Sequence, residues 1–346
     1  MAQVDQRQAA ATLEGSETTT MRALVYHIAA DGSTSYAWSE RPRPRIQQAD
    51  DAIVRIVTST ICGTDLHILK GDVPSVADGR ILGHEGVGVV EDVGAGVTEF
   101  RPGDKVIISC ITSCSKCDFC KRGMLSHCKH GGWILGNLID GTQAEYVRIP
   151  YADGSLYRVP EGRDEDALVM LSDTLPTAFE CGVLNGQIRP GDTVAIVGAG
   201  PIGVAALLTA QLFSPSRIFV IDMDENRLAT AGRLGATDVV NSAGGNAGER
   251  ILQLTDGRGV DVAIEAVGVP ASVELCQAII GAGGRIANIG VHGKPVTLHL
   301  ESLWDRNITL TTRLVDTVTL PTLLKLVDAE SWRWRHSSRT ALISAI

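Results

Sequence analysis

Residues 192–213 read DTVAIVGAGPIGVAALLTAQLF. A short apolar run, TVAIV, meets Gly198-Ala199-Gly200-Pro201-Ile202-Gly203, and an apolar stretch of helical length follows. Strand, glycine turn and helix in that order are the setting in which G-x-G-x-x-G carries meaning. Gly198 permits the tight turn, Gly200 lets backbone approach a pyrophosphate, and Gly203 lets helix and strand pack closely. Pro201 and Ile202 complete the candidate cofactor turn; the alternative is a βα turn that binds nothing. Asp222 closes the next strand, RIFVID, 19 residues after Gly203. A carboxylate there accepts hydrogen bonds from a ribose 2′-OH and repels a 2′-phosphate, which favours NAD over NADP. Arg227, also a candidate cofactor-binding residue, weakens that inference slightly; its other reading is an exposed helix charge.

Downstream of this turn the pattern repeats. ENRLATAGRLGA reads as a helix with a glycine stop, and DVVNS as a strand. VDVAIEAVG, SVELCQAIIGAGGRIANIG and ITLTTRLVD continue the alternation. Strands alternating with helices predict an α/β fold with a doubly wound parallel sheet, taken here over residues 177–316. Upstream, ALVYHI, AIVRIV, GVGVVEDVG, KVIIS and AEYVRIP are short β runs broken by Gly, Pro and Asp, with no long helical stretch between them. They predict a β-rich, partly closed unit over 21–176.

Composition narrows the class. The chain has 346 residues, long enough for two domains, with 44% hydrophobic and 21% charged residues. A net charge of −9 argues against nucleic acid as a partner, because phosphate binding needs a basic face. No run of 18 apolar residues occurs, so no membrane partner is expected. Residues 1–20 lack the apolar core of a signal peptide and read as a disordered extension, with Met21 a candidate start. Eight cysteines without a secretory signal fit a reducing compartment, and the chain is expected to be cytoplasmic.

Four of those cysteines, Cys114, Cys117, Cys120 and Cys128, follow C-x2-C-x2-C-x7-C. Thiolates at that density suit one tetrahedral Zn²⁺ with every position filled by sulfur, hence a structural ion folding a lobe over 110–130. Disulfides are the competing reading. Other metal-ligating types lie apart: Cys62 in ICGTDLH, His84 and Glu85 in ILGHEGVGVV, and Asp173 in MLSDTLPTAFECG. Singly, Cys62 reads as a core thiol, His84 as a hydrogen-bonded turn residue, and Asp173 as a helix N-cap.

Together, CGTDLH at 62–67, GHEGVG at 83–88, the cysteine lobe and the glycine turn resemble the zinc-dependent alcohol dehydrogenases of the medium-chain dehydrogenase/reductase superfamily. The likeness runs from Met21 to roughly Val327. It implies a GroES-like catalytic domain beside a Rossmann domain, two Zn²⁺ per chain and NAD. It also implies a catalytic zinc on Cys62, His84 and Asp173, the third ligand marking the branch with Asp rather than Cys. Glu85 is implied as a neighbour able to enter the shell, and Trp133 as a wall of the substrate pocket, with packing as its alternative. The implied activity is reversible hydride transfer between a primary or secondary alcohol and NAD, zinc polarising the alcohol oxygen. Thr64 would bond that oxygen, and the proton would leave through Thr64, the cofactor ribose and His67, whose other reading is a surface-loop histidine. Family members are homodimers or homotetramers. Alternatives are a formaldehyde- or polyol-oxidising relative, or a truncated inactive one that only binds nucleotide.

The ending departs from the family. Residues 317–346 close on SWRWRHSSRTALISAI, which is basic, Trp-rich and without periodicity. Plausible codons for this stretch, read in another frame, give the family's usual continuation, so 317–346 reads as a truncated or frameshifted segment.

Overall fold

The computed structural model describes residues 20–160, 162–163 and 165–329. The N-terminal extension before Thr20 and the aberrant stretch from Glu330 onward lie outside the described residues. Strands Thr20–Ile28 (β1) and Thr34–Pro42 (β2) form an antiparallel hairpin. Ala52–Ser59 (β3), Gly86–Val93 (β4), Lys105–Ile108 (β5), Tyr146–Ile149 (β6) and Leu156–Arg158 (β7) form an antiparallel sheet in the order β6-β3-β4-β5-β7. β2 was not expected. Its residues bury neither face, so it carries no apolar row to read and is held by backbone pairing to β1. A short helix, Gly63–Leu69, lies between the β runs and was not read from the sequence; seven residues are too few to show a helical period.

The second half is the expected parallel sheet. Thr193–Val197 (β8), Arg217–Asp222 (β9), Asp238–Asn241 (β10), Val260–Glu265 (β11), Ile280–Asn288 (β12) and Thr309–Thr312 (β13) run in the order β10-β9-β8-β11-β12-β13. The order reverses between β8 and β11, and in such sheets ligands bind beyond the carboxyl ends of the strands at that point. The helix Pro201–Ala210 buries every residue from Gly203 to Ala210, which explains why its sequence is apolar all round.

One buried cluster joins the two halves. It takes Val87 and Ile107 from the antiparallel sheet, Leu171 and Leu175 from the connection, and Ile196 and Val262 from the parallel sheet. Leu320 and Leu323 of the helix Leu320–Asp328 complete it. Each such leucine contributes about 1.5–3 kcal/mol by leaving water. The described part of the segment read as aberrant is therefore regular helix packed into the shared core. Among the described residues, no helix is long and apolar enough to cross a membrane.

Candidate active site and metal centres

The glycine turn sits at the carboxyl end of β8. Gly198 has φ +105°, a conformation that disfavours any side chain. A Cβ on Gly203 would come within 1.8 Å of the Gly198 carbonyl oxygen, whereas one on Gly200 would meet only the Arg227 guanidinium, at 4.0 Å. Gly203 is thus filled by protein and Gly200 faces open space, as a turn that admits a ligand requires. Both oxygens of Asp222 are held by backbone: Oδ2 accepts from Ala199 N–H at 2.7 Å, and Oδ1 from Met223 and Asp224 N–H at 2.7 and 2.9 Å. Its negative charge is pinned beside the turn. Of the two readings of Arg227, the exposed helix charge does not hold: the residue is half-buried and lines the cleft with Gly200, Pro201 and Ile202.

That cleft, about 340 Å³, is walled on its other side by Cys62, Thr64, His67, Glu85 and Asp173. Ligand atoms of Cys62, His84, Glu85 and Asp173 all lie within 4.8 Å of one another. They come from three places: the start of the helix Gly63–Leu69, the turn before β4, and the turn preceding the helix Thr174–Thr177. His84 Nε2 stands 3.1 Å from Asp173 Oδ2. Asp173 occupies the N-cap position but makes no side-chain cap bond, so the capping expectation fails and its carboxylate is spent on the cluster. Thiol, imidazole and carboxylates at this spacing suit a divalent transition metal with an open position.

Burial shapes the charges. It pushes the Cys62 thiol up, while His84 opposes it. It pushes Glu85 up to about 7, with the Asp173 charge adding to the effect. Burial also pulls on Asp173 and His84, but their mutual contact holds Asp173 below and His84 well above the ordinary value.

Several partners of the cluster escaped the sequence reading. Asp65 Oδ2 accepts from Cys62 N–H at 2.8 Å and from Gln143 Nε2 at 2.9 Å, closing a capping box that fixes the ligand loop. Cys-x-x-Asp was legible as that box had Cys62 been taken for an N-cap. Hydroxyls of Thr60 and Thr174 donate to Glu85, and Thr177 and the buried thiol of Cys110 donate to Asp173. Thr177 lies one helical turn past Asp173, whereas Thr60, Thr174 and Cys110 carry no local signal, because their partners are distant in sequence.

Thr64 Oγ1 lies 3.8 Å from Cys62 Sγ. His67 is on the helix rather than a loop, and its Nδ1 meets Asp72 Oδ2 at 2.8 Å. Trp133 is not among the residues lining the cleft; its ring packs edge-on against His84, centroids 6.2 Å apart, and its indole nitrogen is buried without a partner.

The second centre lies in the lobe. The sulfurs of Cys114, Cys117, Cys120 and Cys128 are within 4.8 Å of one another, and all eight cysteines are free thiols. Tetrahedral thiolates around zinc stand about 3.8 Å apart, so the set fits one ion. Backbone N–H bonds from Cys120 and Lys129 lower the Cys117 thiol to about 6, while burial, then its thiol neighbours, pushes Cys120 up to about 12. Ser126 ties the lobe to the parallel-sheet half, its N–H and hydroxyl donating to Asp316 Oδ1 at 2.9 and 2.6 Å.

Comparison with known proteins agrees with this geometry. Residues 48–161 match the alcohol dehydrogenase GroES-like domain family, and residues 201–329 the zinc-binding dehydrogenase family. An alcohol dehydrogenase of Cupriavidus necator is 39% identical over 281 residues, covering 76% of this chain and 76% of that protein. Zinc-type alcohol dehydrogenase B of Aspergillus flavus is 36% identical over 296 residues, 83% of this chain and 68% of its own length. The solved apo form of zinc dependent alcohol dehydrogenase 2 from Streptococcus pneumonia superposes with a TM-score of 0.85 at 53% identity, over 93% of this chain and 89% of that one.

Proposed function

Because this chain belongs to the zinc-dependent alcohol dehydrogenases of the medium-chain dehydrogenase/reductase superfamily, we propose that it oxidises small primary or secondary alcohols with NAD, reversibly, at the cleft shared by its two sheets. The observation that carries this reading is the convergence of Cys62, His84, Glu85 and Asp173 at a cleft whose opposite wall is the glycine turn. Ile61, Leu66, Met170 and Ile289 on the lining favour an apolar alcohol over a polyol.

Cys62, His84 and Asp173 would hold the catalytic zinc, with Glu85 beside them, and the four lobe cysteines a second ion. When bound, the zinc supplies a Lewis acid for the substrate oxygen, and the nicotinamide supplies the hydride acceptor. The chain's own residues handle the proton. Thr64, two residues past Cys62, takes the hydrogen bond of the substrate hydroxyl. His67, on the same cleft wall, accepts the proton on its imidazole and returns it to solvent. Asp222 supports NAD, since its pinned carboxylate would repel a 2′-phosphate. NADP is the second reading, favoured by Arg227 lining the cleft beside Gly200. The open edge of β13, with exposed Trp304 and Leu300 nearby, supports pairing with a second copy. Free thiols support a reducing, cytoplasmic setting.

The test is cofactor reduction by the purified, zinc-supplied chain across a panel of alcohols, diols and formaldehyde, with NAD and NADP in parallel. Turnover with simple alcohols and NAD is expected. Cys62→Ser is expected to abolish it while leaving cofactor binding intact; full turnover in that variant would overturn the ligand assignment.

A further inference from the structure

The helix Gly63–Leu69 ends in a fold-back that acts on His67. Gly71 has φ +79°, its N–H bonds the Ile68 carbonyl at 3.0 Å, and the Asp72 N–H bonds the His67 carbonyl at 3.0 Å. This is the six-to-one and five-to-two pairing of a Schellman ending, in which the residue after the glycine lies over the third residue from the helix end. That contact is commonly apolar. Here it is an acid on an imidazole: Asp72 Oδ2 stands 2.8 Å from His67 Nδ1, and the two side chains are only 28% and 23% exposed.

Asp72 also meets the parallel-sheet half of the molecule. A Cβ on Gly293, in the loop after β12, would lie 3.1 Å from the Asp72 Cγ and Oδ1. The carboxylate is therefore lodged between the imidazole of one half and bare backbone of the other, and a side chain at 293 would press on it.

We propose that Asp72 is the positioning residue of the proton acceptor. It takes the Nδ1–H of neutral His67, which leaves the lone pair on Nε2 as the base that serves the cleft. When Nε2 gains the substrate's proton, both ring nitrogens carry hydrogen, and the carboxylate offsets the new charge until Nε2 passes its proton to water. Without Asp72 the ring is free to turn and to take the other tautomer, so fewer molecules are ready to accept. Gly293 keeps the space that the carboxylate needs. This rests on His67 being the acceptor, as proposed above.

The experiment is single-turnover cofactor reduction by the zinc-loaded full chain at constant pH and ionic strength, with rising concentrations of a hindered pyridine buffer too crowded to ligate metal. The wild-type rate is expected to be flat. Asp72→Ala is expected to be about tenfold slower and to recover as buffer base replaces the ill-placed imidazole, with zinc content and cofactor affinity unchanged. Asp72→Asn, which keeps an acceptor for Nδ1–H, should retain more of the rate. Gly293→Ala leaves both side chains in place and should show the same buffer dependence in weaker form, which covers the case in which Asp72→Ala fails to fold. His67→Ala is the reference. If it responds to buffer and neither Asp72 nor Gly293 variants do, the role of Asp72 is overturned and His67 stands. If His67→Ala is as fast as wild type and flat, the acceptor reading fails first and this one with it.

Discussion

Buried against Thr60, Thr174 and the Asp173 charge, Glu85 has its carboxyl pushed up to about 7 from an ordinary 4.5, by burial first. The folded chain then holds a proton over that interval which the unfolded chain has lost. The stability gained from keeping Glu85 neutral is complete below about pH 4.5 and is lost as the pH rises through about 7. Metal-free protein should therefore lose stability across that window. Glu85→Gln removes the titration, so the metal-free variant should show a flatter pH profile and melt several degrees above metal-free wild type at alkaline pH in calorimetry. Identical slopes would mean that Glu85 titrates as an ordinary carboxylate. At this scale the sequence was uneven. Cys62, His84 and Glu85 stood out in local motifs, whereas Asp173 read as a cap, because nothing in MLSDTLPT says that its carboxylate turns away from the helix toward a histidine 89 residues earlier.

The cysteine lobe contributes few residues to the apolar clusters, and its order depends on what its sulfurs hold. Cys128 is buried and its sulfur accepts the Cys114 N–H at 3.3 Å, so it joins the two ends of the cysteine cluster. Cys128→Ser is expected to lower bound zinc by one ion per chain, measured by atomic emission, and to lower the melting temperature by several degrees. Because Ser126 carries the lobe's link to Asp316, and Asp316 N–H is in turn held by the buried carboxylate of Glu180 at 2.8 Å, the damage should spread to the segment after β13. Hydrogen exchange over 313–319 would report it, and unchanged protection there would show that the lobe is independent. Other elements taught a different lesson. The central parallel strands β8, β9 and β11 were read because each is a dense apolar run, while β2 and β7 were not, one burying no residue fully and the other being three residues long.

At the scale of the whole molecule, the edges of the sheets are where a second copy would pair. Among the described residues β13 is the last strand of its sheet, and Trp304 and Leu300, in the segment that leads into it, are 78% and 64% exposed. Exposed edges with large apolar neighbours invite pairing. The full chain is expected to elute as a dimer or larger in light-scattering chromatography, and Trp304→Glu to shift it toward monomer at micromolar concentration. A monomeric wild type would remove the subunit proposal without touching the active-site reading. The halves themselves are bound by the shared core, to which Leu320 and Leu323 contribute, so the chain keeps a packed end at least as far as Val327.

Local order was therefore written in the chain: the glycine turn at 198–203, the alternation of strand and helix after it, and the density of sulfur at 114–128 each report on neighbours a few residues away. Backbone sterics and ligand spacing act over that range, which is why they could be read one segment at a time. The convergence of Cys62, His84 and Asp173 was implied by family resemblance and by no local pattern; the tertiary structure shows it as geometry, and it alone lodged Arg227 in the cleft and set Asp72 between His67 and Gly293. Those contacts join segments whose approach depends on how two sheets pack over a common core, and no local propensity carries that information.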